Sequence, residues 1–89
     1  MTLLIVDDSN NIRKALVKSL FTLIPEIKNI IEKEYVEDGL RAIENDKPDI
    51  MILDLMLKSG TGLDLLKSIK AKEDRPLTIL YSNFLDKEY

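Results

Sequence analysis

Eighty-nine residues are enough for one small domain, and a composition of 45% hydrophobic and 33% charged residues is that of a globular chain. The absence of cysteine and histidine excludes disulfides, thiolate sites, histidine triads and most zinc sites, so a metal here needs oxygen ligands, as magnesium, manganese or calcium does. A net charge of -3 leaves no basic stripe for nucleic acid, and no apolar run suits a bilayer or a signal peptide, so the expectation is a cytoplasmic chain with no membrane partner.

Leu3-Leu4-Ile5-Val6 is a short, continuous apolar run, the pattern of a strand buried on both faces, and it stops at Asp7 and Asp8. Ser9 or Asn10 can cap the helix that follows, because either side chain accepts a bond from a free backbone N–H. Ile12, Ala15, Leu16, Leu20 and Leu23 recur at helical spacing as one apolar face, and Pro25 ends that helix. Ile30 to Val36 reads as a second strand, and its Glu32, Lys33 and Glu34 suit a sheet edge. Asp38-Gly39 reads as a turn, and Leu40, Ala42 and Ile43 mark a short second helix closed off before Pro48. Ile50-Met51-Ile52-Leu53 is another buried run and again ends on an aspartate, Asp54. A loop is expected from Leu55 to Gly62. Thr61 and Asp64 are then spaced as a capping box for a third helix through Leu63, Leu66 and Ile69. After Arg75-Pro76, Leu77 to Tyr81 reads as a fourth strand ending at Ser82, and Asn83 to Tyr89 as the start of a fourth helix or the loop before it.

Strands alternating with helices indicate right-handed crossovers and a parallel sheet, hence one α/β domain. In such a sheet the residues just past the strand ends share one rim, where open α/β sheets bind ligands. Asp7, Asp8, Asp54 and Ser82 all fall on that rim. If the first and third strands are neighbours, the three carboxylates lie a few ångströms apart. Their mutual repulsion favours a cation, and magnesium would accept their oxygens while leaving positions for water and phosphate. A single aspartate at a strand end is ordinarily only a turn former or helix cap. Two strands ending on aspartates, with a third ending on a hydroxyl, is a rarer arrangement.

These residues resemble the receiver domains of two-component response regulators. The matching pieces are Leu4-Ile5-Val6-Asp7-Asp8-Ser9, Glu37-Asp38-Gly39 with Ala42, Lys47-Pro48-Asp49, Ile52-Leu53-Asp54-Leu55, Gly62-Leu63-Asp64-Leu65-Leu66 and Thr78-Ile79-Leu80-Tyr81-Ser82. The resemblance implies a flavodoxin-like, doubly wound parallel sheet of strand order 2-1-3-4, with the family's fifth strand and helix absent. It implies that Asp54 accepts a phosphoryl group from a histidine kinase or phosphotransfer protein, and that the chain is a signalling switch rather than an enzyme. Asp8 would bind magnesium (or manganese) directly with Asp7 assisting, and Asp54 and the backbone carbonyl of Met56 would complete the protein's share of the ligands. Ser82 would bond a phosphoryl oxygen after transfer.

The sequence also departs from the family's pattern. Receivers usually continue through a full fourth helix, a fifth strand and a fifth helix, whereas this sequence stops at Tyr89. The lysine that follows the fifth strand in the family has no counterpart, and Lys87 reads as a solvated helix residue. Losing that cation would slow transfer. The fourth strand would become an open edge, from which dimerisation, strand exchange or membership of a longer protein is expected. Lys58 stands where receivers often have proline, which suggests an altered loop with solvated Lys58. Phe84 and Tyr89 read as packing residues of a fourth helix. Two other functions compete with the phosphoacceptor. One is a receiver-fold interaction module little regulated by phosphorylation. The other, a small aspartate-nucleophile phosphatase, is weak because its two acids are typically separated by one residue, while Asp7 and Asp8 are adjacent.

Overall fold

The computed structural model describes residues 1–57 and 60–82. Among these residues nine elements follow in chain order: β1 Thr2–Val6, α1 Asn10–Leu23, β2 Asn29–Lys33, α2 Val36–Asp46, β3 Ile50–Asp54, β4 Met56–Leu57, β5 Gly60–Thr61, α3 Gly62–Ile69 and β6 Leu77–Tyr81. Four strands form one sheet in the order β2-β1-β3-β6, every adjacent pair parallel. This is the expected 2-1-3-4 order, with β6 as the fourth long strand. β2 occupies an edge, as its charges suggested.

The register explains the two-sided core. Leu4, Val6, Met51 and Leu53 pack on one face with Ala42 and Ile43 of α2 and Leu65 and Ile69 of α3. Leu3, Ile5 and Ile52 point to the other face, where Leu16, Val17, Leu20 and Ile24 of α1 and its end cover them. Both faces are buried, which is why β1 and β3 read as unbroken apolar runs. Each fully buried aliphatic side chain of this kind contributes about 1.5–3 kcal/mol.

Several elements differ from the sequence expectation. On α1, Ala15 and Leu23 face solvent, while Arg13, Val17 and Ile24 turn inward. The second strand ends at Lys33 rather than Val36, and Asp38-Gly39 lies within the first turns of α2 instead of forming a turn before it. The reason is packing. A Cβ on Gly39 would meet Leu65 Cδ1 at 3.0 Å and Val6 Cγ2 at 3.1 Å, so the glycine lets α2 approach the sheet and α3 closely. The segment after Asp54 is not a plain loop. Met56–Leu57 pairs antiparallel with Gly60–Thr61 as a small hairpin. Lys58 and residues 83–89, with Phe84, Lys87 and Tyr89, lie outside the described residues.

The capping expectations are met. Ser9 is the N-cap of α1, its hydroxyl accepting from Ile12 N at 3.3 Å. Thr61 and Asp64 form the capping box of α3 with both reciprocal bonds present. Helix α2 closes at Lys47, a left-handed residue with φ of 47°.

Candidate functional site

Parallel register brings the strand ends together. Val6 pairs with Leu53, and in the next row Asp54 pairs with Tyr81. Asp7 continues β1 past Val6, its N–H donating to the Lys33 carbonyl at 3.0 Å. Alternation then turns Asp7, Asp54 and Tyr81 toward the α1 face, opposite Val6 and Leu53. Asp7, Asp8 and Asp54 each offer a carboxylate oxygen, and these oxygens lie within 4.8 Å of one another. Asp7 is 0% and Asp54 4% exposed, and Asp8 is half-buried. The expected meeting of the three aspartates is therefore present.

Asp7 is the most enclosed of the group. Its Oδ1 accepts from the Ser9 N–H at 2.7 Å, and its Oδ2 accepts from the Tyr81 hydroxyl. Its backbone carbonyl accepts from Arg13 Nη1 at 2.6 Å. Burial pushes the Asp7 carboxyl above its ordinary value, and the charges of Asp54 and Asp8 push the same way. The Ser9 N–H and the Arg13 guanidinium oppose that rise without cancelling it. A divalent cation fits such a site, because the donors are all hard carboxylate oxygens and two of their residues are buried.

Asp54 is held by the loop it introduces. Its Oδ1 accepts from the Met56 N–H at 3.0 Å, and Leu55 N–H donates to the Tyr81 carbonyl at 2.8 Å. The chain then returns through Gly62, whose N–H donates to the Leu55 carbonyl at 2.8 Å. A Cβ on Gly62 would sit 2.4 Å from the Asp54 carbonyl oxygen, so only glycine permits this closure. Ser82 directly follows the Asp54–Tyr81 row, at the same rim. For Met56, it is the backbone N–H that is engaged with Asp54.

Three contributors escape a reading based on strand ends. Arg13 is a buried cation bonded to Glu32, Glu34 and Asn10 as well as to Asp7. Its spacing from Val17, Leu20 and Ile24 on the inner face of α1 is the signal that would have found it. Tyr81 escapes notice as an ordinary strand aromatic, although alternation places it on the side of Asp54. Gly62 resembles a flexible loop residue, but its role is steric.

Comparison with known proteins gives the family and the fold. Residues 3–89 match the family described as response regulator receiver domain. Over 80 residues the chain is 40% identical to protein-glutamate methylesterase/protein-glutamine glutaminase 1 of Carboxydothermus hydrogenoformans, covering 90% of this chain and 23% of that protein. It is 30% identical over 81 residues to the nitrate/nitrite response regulator protein NarL of Escherichia coli, covering 91% of this chain and 37% of NarL. The chain thus spans well under half the length of these relatives. The structure of the MaeR response regulator bound to beryllium trifluoride superposes with a TM-score of 0.85 at 21% identity, covering 100% of this chain and 70% of that one. At that identity the likeness shows a shared fold.

Proposed function

Because the chain belongs to the response regulator receiver domain family, we propose that it is a phosphoacceptor switch, taking a phosphoryl group on Asp54 from the phosphohistidine of a histidine kinase or phosphotransfer protein. The observation that carries this reading is the convergence of Asp7, Asp8 and Asp54 on one rim, Asp7 and Asp54 buried there and Asp8 half-buried. Phosphoryl transfer needs an in-line nucleophile and charge compensation more than proton shuttling. A carboxylate oxygen of Asp54 forms the new P–O bond while the P–N bond of the phosphohistidine breaks, its electron pair staying on the imidazole nitrogen. The Met56 N–H, already donating to Asp54 Oδ1, fixes the orientation of the carboxylate.

Asp8 and Asp7, with Asp54 and the Met56 carbonyl, would hold Mg2+ or Mn2+, whose charge would offset that of the phosphoryl oxygens. The hydroxyl of Ser82, the residue that follows Tyr81, would donate to a phosphoryl oxygen on Asp54 and bias the segment that follows β6.

Beryllofluoride, a phosphoryl mimic, tests this directly. With Mg2+ present it should raise the unfolding temperature of the chain and shift backbone amide resonances around Asp54 and Ser82. Asp54→Ala should abolish both effects while the protein stays folded. An equal response in that variant would contradict the assignment.

The apolar residues exposed along β6, Leu77, Ile79 and Leu80, favour a second reading. In it the chain is a receiver-fold interaction module that associates through this strand, as a homodimer or by strand exchange, with little regulation by phosphorylation. A folded protein that ignores beryllofluoride altogether would favour that reading.

A further inference from the structure

β1 and β6 are not neighbours, because β3 lies between them. Yet the Tyr81 hydroxyl of β6 donates to Asp7 Oδ2 at the end of β1. To make that bond the phenol must cross the row occupied by Asp54, the residue paired with Tyr81 on β3. Its ring packs against the cluster of Leu3, Ile5, Ile27 and Ile52 on the same face. The other oxygen of Asp7 is already engaged by the Ser9 N–H at 2.7 Å. Both carboxylate oxygens of the most buried aspartate are thus satisfied by donors of the chain itself.

We propose that Tyr81 is a positioning residue that gates the acidic rim, its phenol holding Asp7 across Asp54 until a divalent cation displaces it. This rests on the reading of the rim as a cation-assisted phosphoacceptor site. The phenolic O–H presents a partial positive charge to the carboxylates, as a cation would in full, so the two compete for the same oxygen and the same space. Displacement is reciprocal: whatever weakens the hydroxyl bond tightens the cation, and cation binding releases the phenol. Ser82 is the next residue, so release of Tyr81 reaches the hydroxyl assigned to the phosphoryl group. Asp7 is thereby linked to the end of β6 through one side chain.

The chain has three tyrosines and no tryptophan, so tyrosine emission can report on the gate, a carboxylate-bonded phenol being quenched relative to a free one. Mg2+ alone should raise the emission of the unaltered chain at the concentrations at which calorimetry detects binding. Tyr81→Phe keeps the ring and removes the hydroxyl. It should bind Mg2+ about tenfold more tightly, the direction expected when a hydrogen bond to a charged group no longer competes, and should lose the emission rise.

Mg2+ binding that depends on Asp8 but is unchanged or weaker in Tyr81→Phe would overturn the gate and leave the phosphoacceptor reading standing. Binding by the unaltered chain with no change in emission would do the same without relying on a variant. Absence of Mg2+ binding from both proteins would remove the cation reading and the gate together. Binding seen only in Tyr81→Phe would support the gate in its strongest form.

Discussion

Asp7 carries an unfavourable charge in the folded protein. Its carboxyl is raised above the ordinary 3.8, chiefly by burial and further by Asp54 and Asp8, so the unfolded chain gives up this proton more readily than the folded one. The stability held by protonated Asp7 is therefore fully present below the unfolded value and is lost as pH rises through the raised folded value. In EDTA, denaturant unfolding from about pH 4 to about pH 8 should show the native chain losing stability relative to Asp7→Asn as pH increases. A difference between the two proteins that stays flat with pH would contradict this. Arg13 is the opposite case, a buried cation with its partners in place. Arg13→Ala should cost about 2 kcal/mol, less than a fully enclosed pair because Glu34 remains partly in solvent, and Arg13→Lys should restore only part of it. Thermal or urea unfolding measures both. At this scale the aspartates could be read directly, since each stands at the end of an apolar run. Arg13 and Tyr81 could not, because their roles depend on which neighbour the fold brings opposite them.

Two glycines do their work between elements. Gly62 brings α3 back against the end of β3, where any side chain would collide with the Asp54 carbonyl. Gly62→Ala should therefore destabilise the fold by about 1–3 kcal/mol, as overpacking does, and should also impair phosphoacceptance by displacing Asp54. Stability and labelling measured on one preparation check this, and an intact site in a destabilised protein would refute the coupling. Thr61→Ala, which removes only the cap of α3, should cost about 1 kcal/mol and serves as the comparison. The capping box was readable because it is a local pattern. The Asp38-Gly39 pair misled for the converse reason. Its local preference is a turn, but the close approach of α2 to Val6 and Leu65 prevails.

Across the whole molecule, alternating elements foretold the parallel sheet, while its strand order came from the resemblance to receiver domains. The small β4–β5 hairpin was hidden, since two-residue strands carry no periodicity. Among the described residues no helix is long and apolar enough to cross a membrane. Three of the exposed apolar positions lie along one edge strand, β6, where Leu77 is 69%, Ile79 51% and Leu80 41% exposed. Such an edge predicts concentration-dependent association of the chain. Light scattering should show self-association that Ile79→Lys reduces, and a concentration-independent monomer would contradict it.

All these scales meet in the claim that the rim makes Asp54 a cation-assisted phosphoacceptor. Intact mass measured after incubation with acetyl phosphate addresses it most directly. With Mg2+ the account predicts one added phosphoryl group, mapped to Asp54 and lost in both Asp54→Ala and EDTA. A phosphoryl group that forms equally in EDTA, or that maps to another residue, would contradict it.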